Sequence, residues 1–242
     1  MQEGIFTIAE NHALTGSIMR MILLGDTEAI QRPGQFVNIR LPDRYLRRPL
    51  SVCDVDSMSF SVIYKTVGKG TYYMSTLQKG LRLDILTGLG NGFNLDRAGR
   101  NPLLIGGGTG VAPLYYLAKA LHRRPAHVTA LLGFQNADQA ILIKEFEQLC
   151  DHVIVTTEDG SLGRRGVVTD VIPEEYSFFY TCGPEAMMED VYGKTDTDGE
   201  FSFEARMGCG FGVCMGCTKR TLLGYKRICR DGPVLEKGEL IW

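Results

Sequence analysis

Four cysteines near the end of the chain carry the most definite chemistry in the sequence. Cys209, Cys214 and Cys217 form a C-x4-C-x2-C run, and Cys229 follows 12 positions later. Three thiolates from one loop with a distant fourth is the plant-type spacing for [2Fe–2S] ligands. Gly208, Gly210, Gly212 and Gly216 lie within or beside that loop. They allow unusual φ values and bring backbone N–H groups toward the sulfurs, where hydrogen bonds stabilise the reduced cluster. A structural zinc site and inert buried thiols are the alternative readings. Structural zinc usually draws on two close cysteine pairs, whereas here three cysteines share one loop. Cys53, Cys150 and Cys182 are scattered singly. The first two read as packing residues, since free cysteine is often buried.

A second chemical signal is the glycine run in LLIGGGTGVAPLYYLAKAL. Gly106, Gly107, Gly108, Thr109 and Gly110 stand between an apolar strand-like segment and an amphipathic helix-like one. Such a turn lets backbone approach a pyrophosphate at a helix N-terminus. Pro113 occupies the place of the third glycine of G-x-G-x-x-G, so the match to that fingerprint is partial. No Arg or Lys follows the next apolar strand, where Gln135 and Asn136 stand instead. This favours NAD over NADP, whose 2′-phosphate calls for a cation, although Arg164 and Arg165 could contribute one from a loop.

These groups need elements to hold them. Segments 16–24, 34–41, 48–54 and 59–65 are short, apolar or β-branched, and separated by Gly, Pro, Asp or Ser. In SFSVIYK, Phe60, Val62 and Tyr64 alternate with Ser61, Ile63 and Lys65, a period of two. Residues 1–98 therefore read as a small antiparallel β-barrel, interrupted by one helix around 70–78. From residue 99 onward strands alternate with helices. The strands are PLLIG, HVTALLGF, HVIVTT and FFYTC, and the helices begin at Val111, Ala137 and Pro184. That pattern predicts a doubly wound parallel α/β sheet over 99–199. The polar stretch KTDTDGE breaks it, and a Gly- and Cys-rich unit occupies 200–242.

Composition bounds the rest. Apolar residues make up 44% and charged residues 22% of the 242 positions, an ordinary globular balance. A net charge of −2 without a basic stripe argues against a nucleic-acid partner. No apolar run approaches the ~20 residues of a membrane span. The N-terminal MQEGIFTIAE has no basic n-region or apolar h-region, so the expectation is a cytoplasmic protein.

Three further motifs carry a family resemblance. Arg48-Pro49-Leu50-Ser51 resembles the R-x-x-S flavin motif of the ferredoxin–NADP reductase superfamily. Gly68-Lys69-Gly70-Thr71 is similar to the turn opening that superfamily's phosphate-binding helix, and Cys182-Gly183-Pro184-Glu185 to its C-G-P element beside the nicotinamide. With the cysteine loop added, the chain resembles the electron-transfer subunits of NAD-linked dihydroorotate dehydrogenases from about residue 3 onward. The stretch 188–200 is shorter and more polar than is usual there.

The resemblance implies FAD, one [2Fe–2S] cluster and NAD(H). Arg48 would pair with the FAD pyrophosphate, a role suited to a guanidinium fork, and Pro49, Leu50 and Ser51 would lie at the flavin. Ile63, Tyr64 and Lys65 would line it, and Gly70 and Thr71 would donate to phosphate. Gly106 to Gly110 and Cys182 to Glu185 would form the nicotinamide-nucleotide site, with Cys209, Cys214, Cys217 and Cys229 holding the cluster. Plainer readings stand beside some of these: a solvated surface Arg48, core packing for Tyr64, a small buried strand-end residue at Cys182. The implied partner is an FMN-containing catalytic subunit that oxidises dihydroorotate to orotate in pyrimidine biosynthesis, in a heterotetramer of two plus two. No residue of this chain is assigned to the dihydroorotate chemistry itself. Related alternatives are the flavin subunits of sulfide dehydrogenase, NADH-dependent ferredoxin–NADP oxidoreductase and cytoplasmic hydrogenase. The oxidoreductase type often has Asp in place of the first cluster cysteine, and Cys209 argues against it. A zinc-stabilised binding module is the alternative from another class.

Overall fold

A computed structural model describes residues 1–42 and 44–242. Its first body is a closed antiparallel barrel in the order β1-β2-β5-β4-β3-β6. The strands are β1 (Gln2–Ala13), β2 (Ile18–Leu24), β3 (Phe36–Ile39), β4 (Arg48–Val55), β5 (Ser59–Lys65) and β6 (Arg82–Leu89), with helix α1 (Lys69–Ser75) after β5. The alternation in β5 is realised as a two-sided burial. Phe60, Val62 and Tyr64 point into the barrel core with Phe6, Val37 and Ile85. Ile63 faces out and packs with Ile18, Cys53 and Leu104 against the second body. The outer wall of the barrel is thus itself an interior surface, which is why Ser61 is also buried.

The second body is a sheet in the order β10-β9-β8-β7-β11-β12-β15. Its parallel strands are β7 (Pro102–Gly107), β8 (Thr129–Phe134), β9 (His152–Thr157), β10 (Arg164–Arg165), β11 (Phe178–Cys182) and β12 (Gly199–Ser202). Connecting helices are α2 (Val111–His122), α3 (Ile143–Glu147) and α4 (Glu185–Lys194). Near-continuous apolar strands such as Leu103-Leu104-Ile105 are buried on both faces, as parallel sheets require. This is the doubly wound arrangement the alternating pattern predicts.

The helix expected from Ala137 differs from the pattern. A short 3-10 turn occupies Ala137–Gln139, and α3 runs only from Ile143 to Glu147. Asn136 caps the turn by accepting the Gln139 N–H at 3.2 Å, and Leu142 takes a left-handed φ of 61° that restarts the chain as α3. Local side-chain capping here wins over helical periodicity.

The last region contributes a hairpin, β13 (Thr218–Thr221) with β14 (Gly224–Arg227), and β15 (Val234–Glu236). Strand β15 adds antiparallel to β12 and completes the large sheet. Asn91, just beyond β6, acts as a strand mimic for it. Its side chain donates to Val234 O at 2.8 Å and accepts from Val234 N–H at 3.1 Å.

Candidate functional site

The flavin-motif strand β4 runs along the barrel wall. Arg48, at its start, donates to Leu46 O at 2.5 Å and lies directly over Gly70 at the opening of α1. A methyl group at residue 70 would collide with Arg48 Nε, so only glycine lets the guanidinium sit against that turn. Thr71 Oγ1 accepts the N–H groups of Val67 and Gly68 at 3.0 and 3.2 Å, which fixes the turn. Arg48, Pro49, Leu50 and Ser51 are all partly exposed, leaving one edge of the strand accessible. Lys65 reaches across to Gln139 Oε1 at 3.3 Å, bridging barrel and nucleotide sheet. Tyr64 points the other way, its hydroxyl on Asn11 Oδ1 at 3.0 Å and its ring in the barrel core. Burial pushes that phenol up to about 12. Only the Tyr64 backbone can therefore line the outer face.

The glycine turn and the C-G-P element converge. Strands β7 and β11 are neighbours, with Cys182 directly opposite Gly106. Gly107 and Gly110 pack against Pro184 and Cys182 respectively. Residues 106–110 and 182–185 thus form one wall at the C-terminal ends of adjacent parallel strands, where open α/β sheets take their ligands. Burial pushes the Cys182 thiol up to about 12, leaving it a neutral, compact wall residue. Arg164 and Arg165 lie exposed on β10, beside Thr156 and Thr157 of β9.

The four clustered cysteines fall into two pairs. Cys209 N–H donates to Cys214 Sγ at 3.4 Å, while Cys214 and Val213 N–H donate to Cys209 Sγ at 3.5 and 3.3 Å. Gly216 N–H adds a donor to Cys214 Sγ at 3.5 Å. In the second pair Cys229 N–H donates to Cys217 Sγ at 3.4 Å, and Ile228 N–H to Cys217 O at 3.1 Å. Burial raises the Cys209 thiol, but the N–H groups of Cys214, Phe211 and Val213 outweigh it and bring the thiol down to about 6. Burial, then the Cys217 thiol beside it, pushes Cys229 up to about 12. Two thiols for each of two irons is the donor set of a [2Fe–2S] cluster, whereas a structural zinc ion takes four ligands at one centre. The residues fit the diiron group.

Several positioning groups carry no motif. Arg227 donates to Gly212 O at 2.8 Å and pairs with Asp231 at 3.1 Å, tying the cysteine loop to β14. Lys219 pairs with Glu185 of the C-G-P-E run at 3.1 Å and lies 4.4 and 5.0 Å from the Phe203 and Trp242 rings. Asn38 in β3 donates to Cys209 O at 3.2 Å. The one sequence cue to Asn38 is a polar residue inside the apolar run Phe-Val-Asn-Ile. Around the loop Phe211, Val213 and Met215 are exposed at 41%, 75% and 52%, and Leu222, Leu223 and Tyr225 project from the adjoining hairpin.

Comparison with known proteins accords with this geometry. Residues 204–241 match the model of the iron-sulfur cluster binding domain of dihydroorotate dehydrogenase B, and residues 104–192 that of the oxidoreductase NAD-binding domain. The chain is 39% identical to the dihydroorotate dehydrogenase B (NAD(+)) electron transfer subunit of Geobacillus sp. (strain WCH70), covering 100% of this chain and 99% of that one. It is 37% identical to the same subunit of Lysinibacillus sphaericus, over 98% and 97%. Among solved structures it is similar to one of an NADH-dependent reduced ferredoxin-NADP oxidoreductase, with TM-score 0.90, 31% identity and coverage of 99% and 90%. The FAD/NAD-binding domain of nitric oxide dioxygenase from Vibrio cholerae shares the fold, at TM-score 0.69 and 21% identity, over 80% of this chain and 92% of that one.

Proposed function

The chain belongs to the family of dihydroorotate dehydrogenase B (NAD(+)) electron transfer subunits, and on that premise we propose how its residues serve that function. It is an oxidoreductase subunit that carries FAD and a [2Fe–2S] cluster and works with NAD. When bound, FAD supplies two-electron hydride exchange with NAD(H) and the cluster supplies one-electron transfer. The observation that carries the reading is the pairing of four thiols beside a barrel whose flavin-motif strand stays open.

Arg48 binds the FAD pyrophosphate, held over Gly70 so that the guanidinium and the Gly70 and Thr71 groups meet one phosphate region. Ser51 and the backbone of Ile63, Tyr64 and Lys65 line the flavin, with Pro49 and Leu50 shaping the strand. Gly106, Gly107, Gly108, Thr109 and Gly110, with Cys182, Gly183, Pro184 and Glu185, bind the nicotinamide nucleotide. Cys209, Cys214, Cys217 and Cys229 would hold the [2Fe–2S] cluster. No helix among the described residues is long and apolar enough to cross a membrane. The protein acts in the cytoplasm as the partner of an FMN-containing catalytic subunit, two copies of each forming the assembly. That subunit docks over the exposed Phe211, Val213 and Met215 rim, and dihydroorotate chemistry stays with it.

Metal, sulfide and flavin assays on anaerobically purified protein test this. Two irons, two sulfides and one FAD per chain are expected, and the isolated chain oxidises NADH with artificial acceptors but leaves dihydroorotate untouched. A colourless or zinc-loaded protein, or dihydroorotate turnover by the single subunit, overturns the reading. Copurification of an FMN-bearing partner separates it from the ferredoxin–NADP oxidoreductase alternative.

A further inference from the structure

A buried carboxamide of the barrel holds the cysteine loop by its backbone. Asn38 is 1% exposed, and its Nδ2 donates to the backbone carbonyl of Cys209. Its neighbours in β3 show which way it faces. Val37 and Ile39 point into the barrel core, so Phe36 and Asn38 point outward by strand alternation. Phe36 packs with Cys217, Ile228 and Cys229. In the pairing with β4, Phe36 stands opposite Ser51 and Asn38 opposite Pro49. Directly opposed residues share a face. The face that presents Ser51 and Pro49 of the flavin motif is therefore the face on which Asn38 holds Cys209.

Two further observations make this contact specific. Gly210 follows Cys209 with φ +80°, and a Cβ there would collide with Asn38 Nδ2, so the loop is shaped to admit the carboxamide. Asn38 Oδ1 is buried and has no donor among the described residues. We propose that Asn38 is a positioning residue that sets the cluster loop at a fixed place against the flavin-motif strand. It acts through the Cys209 carbonyl.

The inference rests on the functional reading above, and the experiment separates the two. Asn38→Leu, close in size and without hydrogen bonds, is purified anaerobically beside the unaltered chain. Iron, sulfide and FAD contents are measured first, then the electron paramagnetic resonance spectrum of the reduced cluster, and last the rate at which NADH reduces it in stopped flow. Full cofactor content, a changed cluster spectrum and reduction slowed at least tenfold are expected. An unchanged spectrum in the loaded variant overturns the inference. Should Asn38→Leu fail to fold, Asn38→Ala removes the donor to the Cys209 carbonyl without adding bulk. The same changes are expected there, and a normal spectrum overturns the inference equally. A colourless unaltered protein sinks the functional reading instead, while coloured protein with indifferent variants sinks only the role of Asn38.

Discussion

The two cysteine pairs sit in opposite surroundings. Cys209 and Cys214 lie on an exposed lip, and their thiols are met by backbone N–H groups of the loop. Cys217 and Cys229, 5% and 2% exposed, are packed with Phe36, Phe203 and Ile228. Backbone N–H groups meet both pairs, and apolar packing is added around the inner one. The outer thiol Cys209 is consequently drawn toward ionisation and the inner thiol Cys229 away from it. The four cysteines are thus placed by two means: loop geometry on the exposed side, and core packing on the side joined to barrel and sheet.

The largest effect that would sharpen this contrast comes from single serine replacements. Cys214→Ser and Cys229→Ser both abolish the cluster, read as loss of iron and sulfide. Only Cys229→Ser also destabilises the cluster-free chain, by about 1–3 kcal/mol relative to Cys214→Ser, because it leaves a hydroxyl in apolar surroundings. Equal melting temperatures for the two would break the distinction.

The opposite face of β12 from the cysteines carries a pH-dependent group. Glu200 in β12, 4% exposed, is raised from 4.5 to about 7 by burial, partly offset by the Asn94 N–H it accepts. A carboxyl raised in the folded state contributes stability that is complete below pH 4.5 and lost as pH climbs through about 7. That interval corresponds to about 3 kcal/mol. Glu200→Gln therefore melts higher than the unaltered chain at pH 8 and equals it near pH 4, as thermal scans across pH would show.

On the outer lip, where Val213 is 75% exposed, Val213→Asp should leave iron, sulfide and FAD contents intact while weakening binding of the catalytic subunit at least tenfold, about 1.4 kcal/mol. Binding titrations read this, and unchanged affinity would remove the lip from the interface. Smallest is Lys219→Met, which gives up the ion pair with Glu185 and the Phe203 and Trp242 rings. A loss of about 1 kcal/mol is expected, visible as a drop of a few degrees in Tm.

The parts of the molecule written in local patterns were legible in the sequence. The barrel showed in the alternation of Phe60, Val62 and Tyr64, and the sheet in PLLIG and FFYTC. The cluster showed in cysteine spacing, which records a loop geometry directly. What escaped depends on contacts between distant segments. Asn38 and Cys209 are 171 positions apart, and Lys219 and Glu185 meet only because β13 folds toward α4. The helix expected from Ala137 failed for a nearer reason: Asn136 as a cap and the left-handed Leu142 interrupt a stretch whose apolar spacing suits a helix.

Strand β12 pairs on one side with β11 and on the other with β15, which lies more than thirty positions later. During synthesis the Gly199–Ser202 edge therefore waits open while the whole cysteine loop and hairpin leave the ribosome. An open strand edge invites wrong partners. β15 is the strand that covers this edge, and the chain up to Ser202 alone would leave it bare.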